Sequence, residues 1–147
     1  MDDTEQIDRI GFEGSSGCDR DPVYGIADVV SITGISAFTI RYYDKCGFFP
    51  DLHRDKRGVR SFSEADIAQL HLVEALRKSG LSIEGIQYFV RLCKQGSATQ
   101  PERLRILRAQ ETVLEYQREE LDESLKRLHA ATVDLESTNH PNRSDVL

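Results

Sequence analysis

Side chains that can donate hydrogen bonds to phosphate oxygens are concentrated in one stretch of the chain, between Gly34 and Asp66. The first half of this stretch has hydroxyl, phenol and guanidinium groups, and the second half has a run of cations. These side chains are, in order, Thr39, Arg41, Tyr42, Tyr43, Arg54, Lys56, Arg57 and Arg60. Proteins use such groups to contact the phosphate backbone of nucleic acids. The stretch therefore predicts a phosphate-binding surface, and the remaining elements must hold it in place.

The charge distribution puts this surface in the basic part of an acidic chain. The net charge is −6 over 147 residues, which by itself argues against a nucleic-acid partner. Residues 1–22 have seven acidic and two basic side chains, residues 23–62 have four acidic and six basic ones, and the remainder carries −3. A locally basic block on an acidic protein is able to bind DNA, because the local field governs the contacts.

Composition disfavours several other classes of protein. No apolar run approaches the ~18 residues that a membrane helix needs. The N-terminal residues lack the pattern of a signal peptide, so a cytoplasmic location is expected. The three cysteines (Cys18, Cys46 and Cys93) are too far apart for a CxxC pair. The histidines are scattered, and no glycine-rich phosphate loop follows a strand. We therefore expect no enzyme, metal site or cofactor.

Two short helices separated by a tight turn at Gly34 are predicted from Tyr24 onward. One face of the first helix is formed by Ile26, Val29, Val30 and Thr33. Ser36 is expected to cap the second helix, which runs from about Ala37 to Cys46. The pattern predicts a helix-turn-helix in which Ile35 and Ile40 form the apolar wedge.

A short hairpin, or wing, is predicted after the second helix. Phe48 and Phe49 are expected to anchor the chain to the core before it. The wing should extend from about Leu52 to Phe62, with its loop at Asp55–Gly58, because Gly58 permits a tight turn.

Two further helices complete the predicted core. The first begins at the capping-box sequence Ser63–Asp66 and ends near Ser79, and the second is capped by Ser82. Their apolar faces are expected to consist of Ile67, Leu70, Val73, Leu76, Ile83, Ile86, Phe89, Val90 and Cys93. Gln95–Thr99 is predicted to be a loop.

The fifth predicted helix, with Pro101 in its first turn, has the clearest periodicity. A leucine recurs every seven residues, at Leu107, Leu114, Leu121, Leu128 and Leu135. The companion positions three residues earlier include Leu104 and Leu125. Four consecutive intervals of seven are typical of a coiled coil. The alternative is a long amphipathic helix folded on its own domain, but residues 24–95 offer little matching surface. We therefore expect the leucines to pair two copies of the chain.

The predicted fold is mainly α, a winged helix-turn-helix DNA-binding domain followed by a long C-terminal coiled-coil helix. Residues 1–22 are interpreted as a disordered acidic tail and 23–95 as the winged domain. Residues 100–136 are interpreted as the dimerisation helix and 137–147 as a frayed end.

The sequence from Tyr24 to Val90 resembles the MerR family of transcriptional regulators. The matching stretches, in the family's order and spacing, are YGIADVVSITGIS, TIRYYDKCGFFP, RDKRGVRSFSEADI and LRKSGLSIEGI. The phrase GISAFTIRYYDKCGFFP is also similar to the branch that includes the aldehyde- and stress-responsive NmlR and AdhR regulators. The resemblance implies a homodimer, paired through antiparallel C-terminal helices, that binds a pseudo-palindromic operator in a promoter with an overlong spacer. Members of the family distort that DNA so that RNA polymerase can engage both promoter elements.

The resemblance also implies roles for single residues. Arg41 matches the arginine of the family's second helix and is expected to contact phosphate or guanine, with an ion pair to Asp44 as the alternative. Arg60 matches the wing arginine of the family's Gly-Tyr-Arg signature, in which Val59 replaces the tyrosine. Further candidate DNA contacts are Ala37, Phe38, Thr39, Arg54, Lys56 and Arg57.

Three aromatic side chains of the predicted second helix could either contact DNA or pack in the core. Tyr43 matches a family tyrosine that is expected to donate its hydroxyl to phosphate, whereas Tyr42 is expected to pack inside. Phe38 is expected to face the DNA groove, with a place in the core as the alternative.

The signal that such a regulator would sense is less clear from the sequence. Metal- and redox-sensing relatives have cysteines after the dimerisation helix, and here no cysteine follows Cys93. Cys46 and Cys93 remain as candidate redox-sensing thiols, with a buried, inert cysteine as the alternative for each. Lys45 is expected to favour the Cys46 thiolate. The rival to a DNA-binding regulator is a coiled-coil adaptor whose helix-turn-helix binds protein, which the acidic net charge favours and the basic wing disfavours.

Overall fold

The computed structural model describes residues 21–139. In this range the elements are α1 (Ile26–Thr33), α2 (Ala37–Lys45), β1 (His53–Arg54), β2 (Arg60–Ser61), α3 (Glu64–Lys78), α4 (Ile83–Lys94), a 3-10 helix (Gly96–Thr99) and α5 (Gln100–Thr138). The protein is thus mainly helical, with a small antiparallel sheet and a long C-terminal helix, which confirms the predicted fold class. Most of the predicted acidic tail and frayed end lies outside the described residues. The chain divides into two units after Gln110.

The helix-turn-helix is built by local signals in the sequence. Gly34 ends α1 in the left-handed region (φ +73°), a conformation that suits glycine, and its N–H donates to the Val30 carbonyl. The Ser36 hydroxyl then caps α2 by accepting from the Thr39 N–H at 3.1 Å. Ile40 is completely buried. These contacts confirm the predicted turn, cap and wedge.

The wing is a two-stranded ribbon closed by a side-chain-supported turn. Strands β1 and β2 are antiparallel, and Arg54 pairs with Arg60 in the register. The Asp55 carboxylate accepts from the N–H groups of Arg57 (2.8 Å) and Val59 (2.9 Å). Gly58 has φ +79° within this turn. Because the turn satisfies its own amides, it fixes the positions of the cations on both strands.

The core of the first unit lies where α1 to α4 meet the base of the wing. Its fully buried side chains are Val29, Ile40, Phe48, Phe62, Leu70, Val73 and Ile86. Phe49 is 4% exposed and packs edge-on against Phe62, with 6.1 Å between the ring centroids. The chain before α1 is tied to the wing by two 2.8 Å backbone hydrogen bonds between Tyr24 and Phe62. The prediction that Phe48 and Phe49 anchor the chain is confirmed.

Helices α3 and α4 begin at the predicted caps. Ser63 and Asp66 form a reciprocal capping box, and the Ser82 hydroxyl accepts from the Gly85 N–H. The segment predicted as a loop is a 3-10 helix instead. Its last residue, Thr99, is buried, and its hydroxyl lies 2.6 Å from the Leu92 carbonyl oxygen. This contact to α4 orders a segment whose composition indicates a loop.

Helix α5 begins at Gln100 and belongs to both units. In the first unit, Ile106 and Leu107 pack against the core, so Leu107 contributes to the fold as well as beginning the heptad row. In the second unit, no residue between 111 and 139 is buried. Its heptad leucines from Leu121 onward, together with Leu125, are between 64% and 68% exposed. Over residues 21–139, no helix combines the length and apolarity needed to cross a membrane.

Candidate nucleic-acid interface

The exposed face of α2 is formed by side chains three and four positions apart. They are Phe38, Arg41, Tyr42 and Lys45. Phe38 is 80% exposed, so the alternative that places it in the core is wrong. Ala37 and Thr39 are half-buried in the first turn, where the Thr39 hydroxyl lies 2.9 Å from that of Ser36. The face presents an aromatic ring, a phenol and two cations to solvent.

Arg41 is exposed at the middle of this face. Within residues 21–139 its guanidinium forms no hydrogen bond or ion pair, and its alternative partner Asp44 is bound to other arginines. All five donors of Arg41 are therefore available for phosphate oxygens or a guanine edge.

Asp44 is the residue that joins α2 to the wing, and the sequence reasoning missed this role. Its carboxylate accepts from Arg54 Nη2 on β1 and from Arg60 Nε on β2, each at 2.6 Å. Its side chain is only 3% exposed, whereas those of Arg54 and Arg60 are 45% and 26% exposed. Both arginines were predicted as DNA contacts, and the structure shows that they are first of all ion-paired. Their remaining N–H groups are still available to a ligand.

The tip of the wing is exposed and cationic. Lys56 and Arg57 lie in the turn, and both side chains are exposed. Val59, which stands where the family has a tyrosine, is 56% exposed. The wing therefore presents cations from its tip and an aliphatic side chain from the residue just before its second strand.

The predicted roles of Tyr42 and Tyr43 are reversed in the structure. Tyr43 is 5% exposed, and its ring packs on Phe48 with 5.5 Å between the centroids. Its hydroxyl donates to Glu74 Oε1 at 3.1 Å, and burial raises the pKa of Tyr43, as does the Glu74 carboxylate. Tyr43 is thus a core residue, and the prediction that it donates to phosphate is wrong for this arrangement. Tyr42 is 46% exposed, so the prediction that it packs inside is also wrong.

The helical spacing contains the signal that distinguishes the two tyrosines. Ile40, Tyr43 and Asp44 are buried and stand at positions i, i+3 and i+4, which is one face of a helix. The opposite face includes Tyr42, whose individual prediction places it inside, and Lys45, which the sequence analysis does not name as a contact.

The two candidate thiols have different surroundings. Cys46 is half-buried beside a cleft of about 340 Å³, whose lining includes Arg91 and Lys94. A hydrogen bond to the Cys46 side chain raises the pKa of the Tyr42 phenol. Burial raises the pKa of the Cys93 thiol, and Arg103 partly offsets this effect. The structure therefore makes Cys46 the better candidate for thiol chemistry. Between residues 21 and 139, no group of His, Cys, Asp or Glu is arranged to hold a metal ion.

Curated proteins similar to this chain are helix-turn-helix regulators. The family model for the MerR HTH family regulatory protein matches residues 24–92. An uncharacterized HTH-type transcriptional regulator of Haemophilus influenzae is 37% identical over 87 residues, which cover 59% of this chain and 64% of that protein. The regulator AdhR of Bacillus subtilis is 35% identical over 82 residues, which cover 56% and 59%. The chain thus spans less than two thirds of the length of these relatives.

Solved structures extend the likeness beyond the winged domain. HiNmlR, a MerR family regulator lacking the sensor domain and bound to promoter DNA, is 32% identical with a TM-score of 0.69. The match covers 79% of this chain and 92% of that one. A putative MerR family regulator from Listeria monocytogenes is 32% identical with a TM-score of 0.64, and 87% of it is covered. On this sequence and structural similarity, the chain belongs to the MerR family of helix-turn-helix regulators.

Proposed function

We propose that this protein is a sequence-specific DNA-binding regulator that acts on a promoter as a homodimer. The observation that carries the proposal is the exposed Arg41 on α2, which has no ion-pair partner among residues 21–139 and lies on the helix that the two strand arginines of the wing contact. The similarity to HiNmlR, which was solved bound to promoter DNA, supports DNA as the partner. Such a protein acts in the cytoplasm.

In this proposal, α2 enters the major groove and the wing contacts the adjacent backbone. Arg41 reads guanine or clamps a phosphate, and Phe38 contacts base edges, such as a thymine methyl. Lys56, Arg57 and the free N–H groups of Arg54 and Arg60 contact phosphates, which sets the register of the helix on the duplex. Ala37, with its small side chain, allows the backbone of α2 to come close to the DNA, and Thr39 contributes a hydroxyl.

The proposed action on transcription is a distortion of the promoter. As the family resemblance implies, a dimer bound across an overlong spacer untwists the DNA so that RNA polymerase engages both promoter elements. Bending or untwisting a site of this size costs on the order of a few kcal/mol, which paired contacts in two half-sites offset.

The leucine row on α5 supports dimerisation. Leu121, Leu125, Leu128 and Leu135 leave apolar surface in water in the single chain. Burying each leucine against a second copy contributes roughly 1.5–3 kcal/mol. The adaptor alternative also uses this row, but it does not account for the exposed cations on α2 and the wing, and it is the less favoured proposal.

For the proposed response to stress, Cys46 is preferred over Cys93 as the sensing thiol. Cys46 follows the last residue of α2, and its carbonyl accepts a hydrogen bond from the Gln87 side chain at 2.9 Å. Oxidation at this position would disturb the packing of α2 against α4. A Cys46→Ser variant that keeps a full response to oxidant or aldehyde in a promoter assay would contradict this part of the proposal.

The proposal is tested by the affinity of the protein for the DNA upstream of its own gene. Fluorescence anisotropy should be measured with that duplex and with a scrambled duplex of equal length, between about 50 and 200 mM salt. We expect tighter binding to the upstream duplex at every salt concentration, and a steep decrease of both affinities with salt. Equal affinity for the two duplexes, or no binding, would overturn the proposal.

A further inference from the structure

The ion-paired cluster between α2 and the wing has an unusual charge arrangement. One buried carboxylate, Asp44, accepts from two arginines that stand opposite each other on the two strands of the wing. Because paired residues of an antiparallel ribbon point to the same face, both guanidinium groups reach the same carboxylate. The cluster carries two positive charges and one negative charge, so it keeps a net charge of +1 beside α2.

The position of Asp44 within α2 shows that its carboxylate does not stabilise the helix itself. It lies in the last turn of α2, where the carbonyl end of the helix dipole disfavours an acidic side chain. It is also almost completely buried, and burying an unpaired carboxylate is costly. Within residues 21–139, the ion pairs with the two arginines offset both costs. The benefit of Asp44 is therefore a fixed distance and angle between α2 and the wing.

The N–H donors of Arg54 and Arg60 that do not bind Asp44 are suited to bind a second anion. Arg60 uses Nε for Asp44, which leaves both of its terminal nitrogens, and Arg54 uses Nη2, which leaves Nη1 and Nε. Both side chains reach solvent. A guanidinium that is held by a carboxylate on one edge presents its other edge in a defined direction. It therefore loses less conformational entropy on binding phosphate than an unrestrained guanidinium does.

We propose that Asp44 is a positioning residue for DNA binding: it orients Arg54 and Arg60 so that their free N–H groups bridge to a backbone phosphate while α2 lies in the groove. The inference rests on the proposed function. It assigns to a buried acid a favourable role in binding a polyanion.

The sign of this effect distinguishes positioning from simple electrostatics. Removing a negative charge beside the DNA should strengthen binding if only the net charge matters. It should weaken operator binding if the carboxylate orients the arginines. The Asp44→Asn variant therefore has opposite expected results under the two explanations.

The experiment compares Asp44→Asn with a matched control, Asp51→Asn. Asp51 has the same charge and lies in the same basic block, but its ion pair among residues 21–139 is a 3.5 Å contact to Lys94, with both side chains about half exposed. Affinities of the full chain for the operator and for a scrambled duplex are measured over a range of salt concentrations. We expect Asp44→Asn to weaken operator binding by about tenfold or more and to weaken binding to the scrambled duplex as well, because a lost phosphate contact affects every sequence. Asp51→Asn should leave operator affinity within about twofold, as for exposed ion pairs.

A double-mutant cycle with Arg60→Ala separates positioning from a loss of folding. If Asp44 acts through Arg60, the two losses of affinity are less than additive, whereas a general loosening of the domain gives additive losses. Arg60→Lys keeps the charge but lacks the second edge, and because Arg60 is on the partly exposed wing, this variant tests the idea even if Asp44→Asn does not fold. We expect it to lose affinity.

Two results would overturn the inference. One is an Asp44→Asn protein that binds the operator as tightly as the wild type, or more tightly. The other is an Arg60→Lys protein of unchanged affinity. A wild-type protein that does not prefer its operator would instead overturn the proposed function, so the two failures can be told apart.

Discussion

Arg41 and Tyr43 lie two residues apart on α2 and have opposite surroundings. The guanidinium of Arg41 is in solvent, while the ring of Tyr43 is in the core. A helix turns by about 100° per residue, so two positions separate the outer face from the inner one. The single-residue predictions for α2 follow from this division between a face that meets DNA and a face that holds the helix.

Replacing Arg41 by alanine should weaken binding to the operator without changing stability. The side chain has no partner among residues 21–139, so its removal leaves no group unsatisfied. We expect a loss of about 1–3 kcal/mol in binding free energy and a salt slope that is smaller by about one. Anisotropy titrations over a range of salt measure both. The control is Arg91→Ala, which removes the same charge from α4; equal losses for the two variants would contradict a specific role for Arg41.

Replacing Tyr43 by phenylalanine should have the reverse effect. The change removes the hydroxyl that donates to Glu74 and keeps the ring on Phe48, so we expect a loss of about 1 kcal/mol in the free energy of unfolding. Operator affinity should stay unchanged. Chemical denaturation and anisotropy report the two quantities, and a variant that is stable but binds poorly would restore the phosphate role of this tyrosine.

The stability of the wild type should also depend on Tyr43 at alkaline pH. The folded-state pKa of Tyr43 is raised, so the unfolded tyrosine ionises first as the pH rises through about 10. The unfolded state is then favoured, and stability is lost above that pH. Because phenylalanine does not ionise, Tyr43→Phe should show a shallower loss of stability at high pH than the wild type does.

At the scale of the elements, local signals made most of the fold predictable. The turn at Gly34, the cap at Ser36 and the capping box at Ser63 depend on neighbours in the sequence, and each is found where the sequence predicts it. The 3-10 helix depends on a contact between Thr99 and Leu92, seven residues apart, and the Asp44 cluster depends on arginines ten and sixteen residues further along. Neither separation is part of a helix or strand repeat, so no local pattern specifies these contacts. The predictions for the two tyrosines are wrong because a match to a family motif does not specify which face of a helix is buried, whereas the helical spacing does.

The wing turn should be sensitive to the residue at position 58. Gly58 has φ +79°, and among residues 21–139 no atom beyond Gly58 and its two chain neighbours lies within 4 Å of the place where a Cβ would stand, so the penalty comes from the backbone conformation. Gly58→Ala should therefore cost about 1–2 kcal/mol, with the wing distorted and operator affinity reduced. Gly58→Asn is the matched control, because asparagine tolerates this conformation better and should retain most of the affinity. Hydrogen exchange of the Val59 amide, which donates to Asp55, would report the distortion directly.

At the scale of the whole molecule, the leucine row of the second unit has no covering surface among residues 21–139. In proteins, most of the stability of a helix comes from packing its apolar face rather than from intrinsic helix propensity. Between 111 and 139, α5 has no buried residue, and its leucine row is exposed. The helix and the dimer should therefore form together, and the two operator half-sites should be bound by one stable pair.

Replacing Leu121 and Leu128 together by lysine should convert the protein to a monomer. Each change puts a charge where a leucine would be buried between two copies, at a combined cost of several kcal/mol. We expect sedimentation equilibrium at micromolar concentration to give a dimer for the wild type and a monomer for the variant. Circular dichroism should show that the variant loses helix from α5 but keeps the winged domain.

Tyr116→Lys is the matched control, because Tyr116 is 63% exposed on the same helix but off the leucine row, and it should remain a dimer. The monomer should retain weak, salt-dependent binding to any duplex and lose its preference for the operator, since one winged domain contacts only one half-site. A leucine double variant that remains a dimer would show that the two copies pair through another surface.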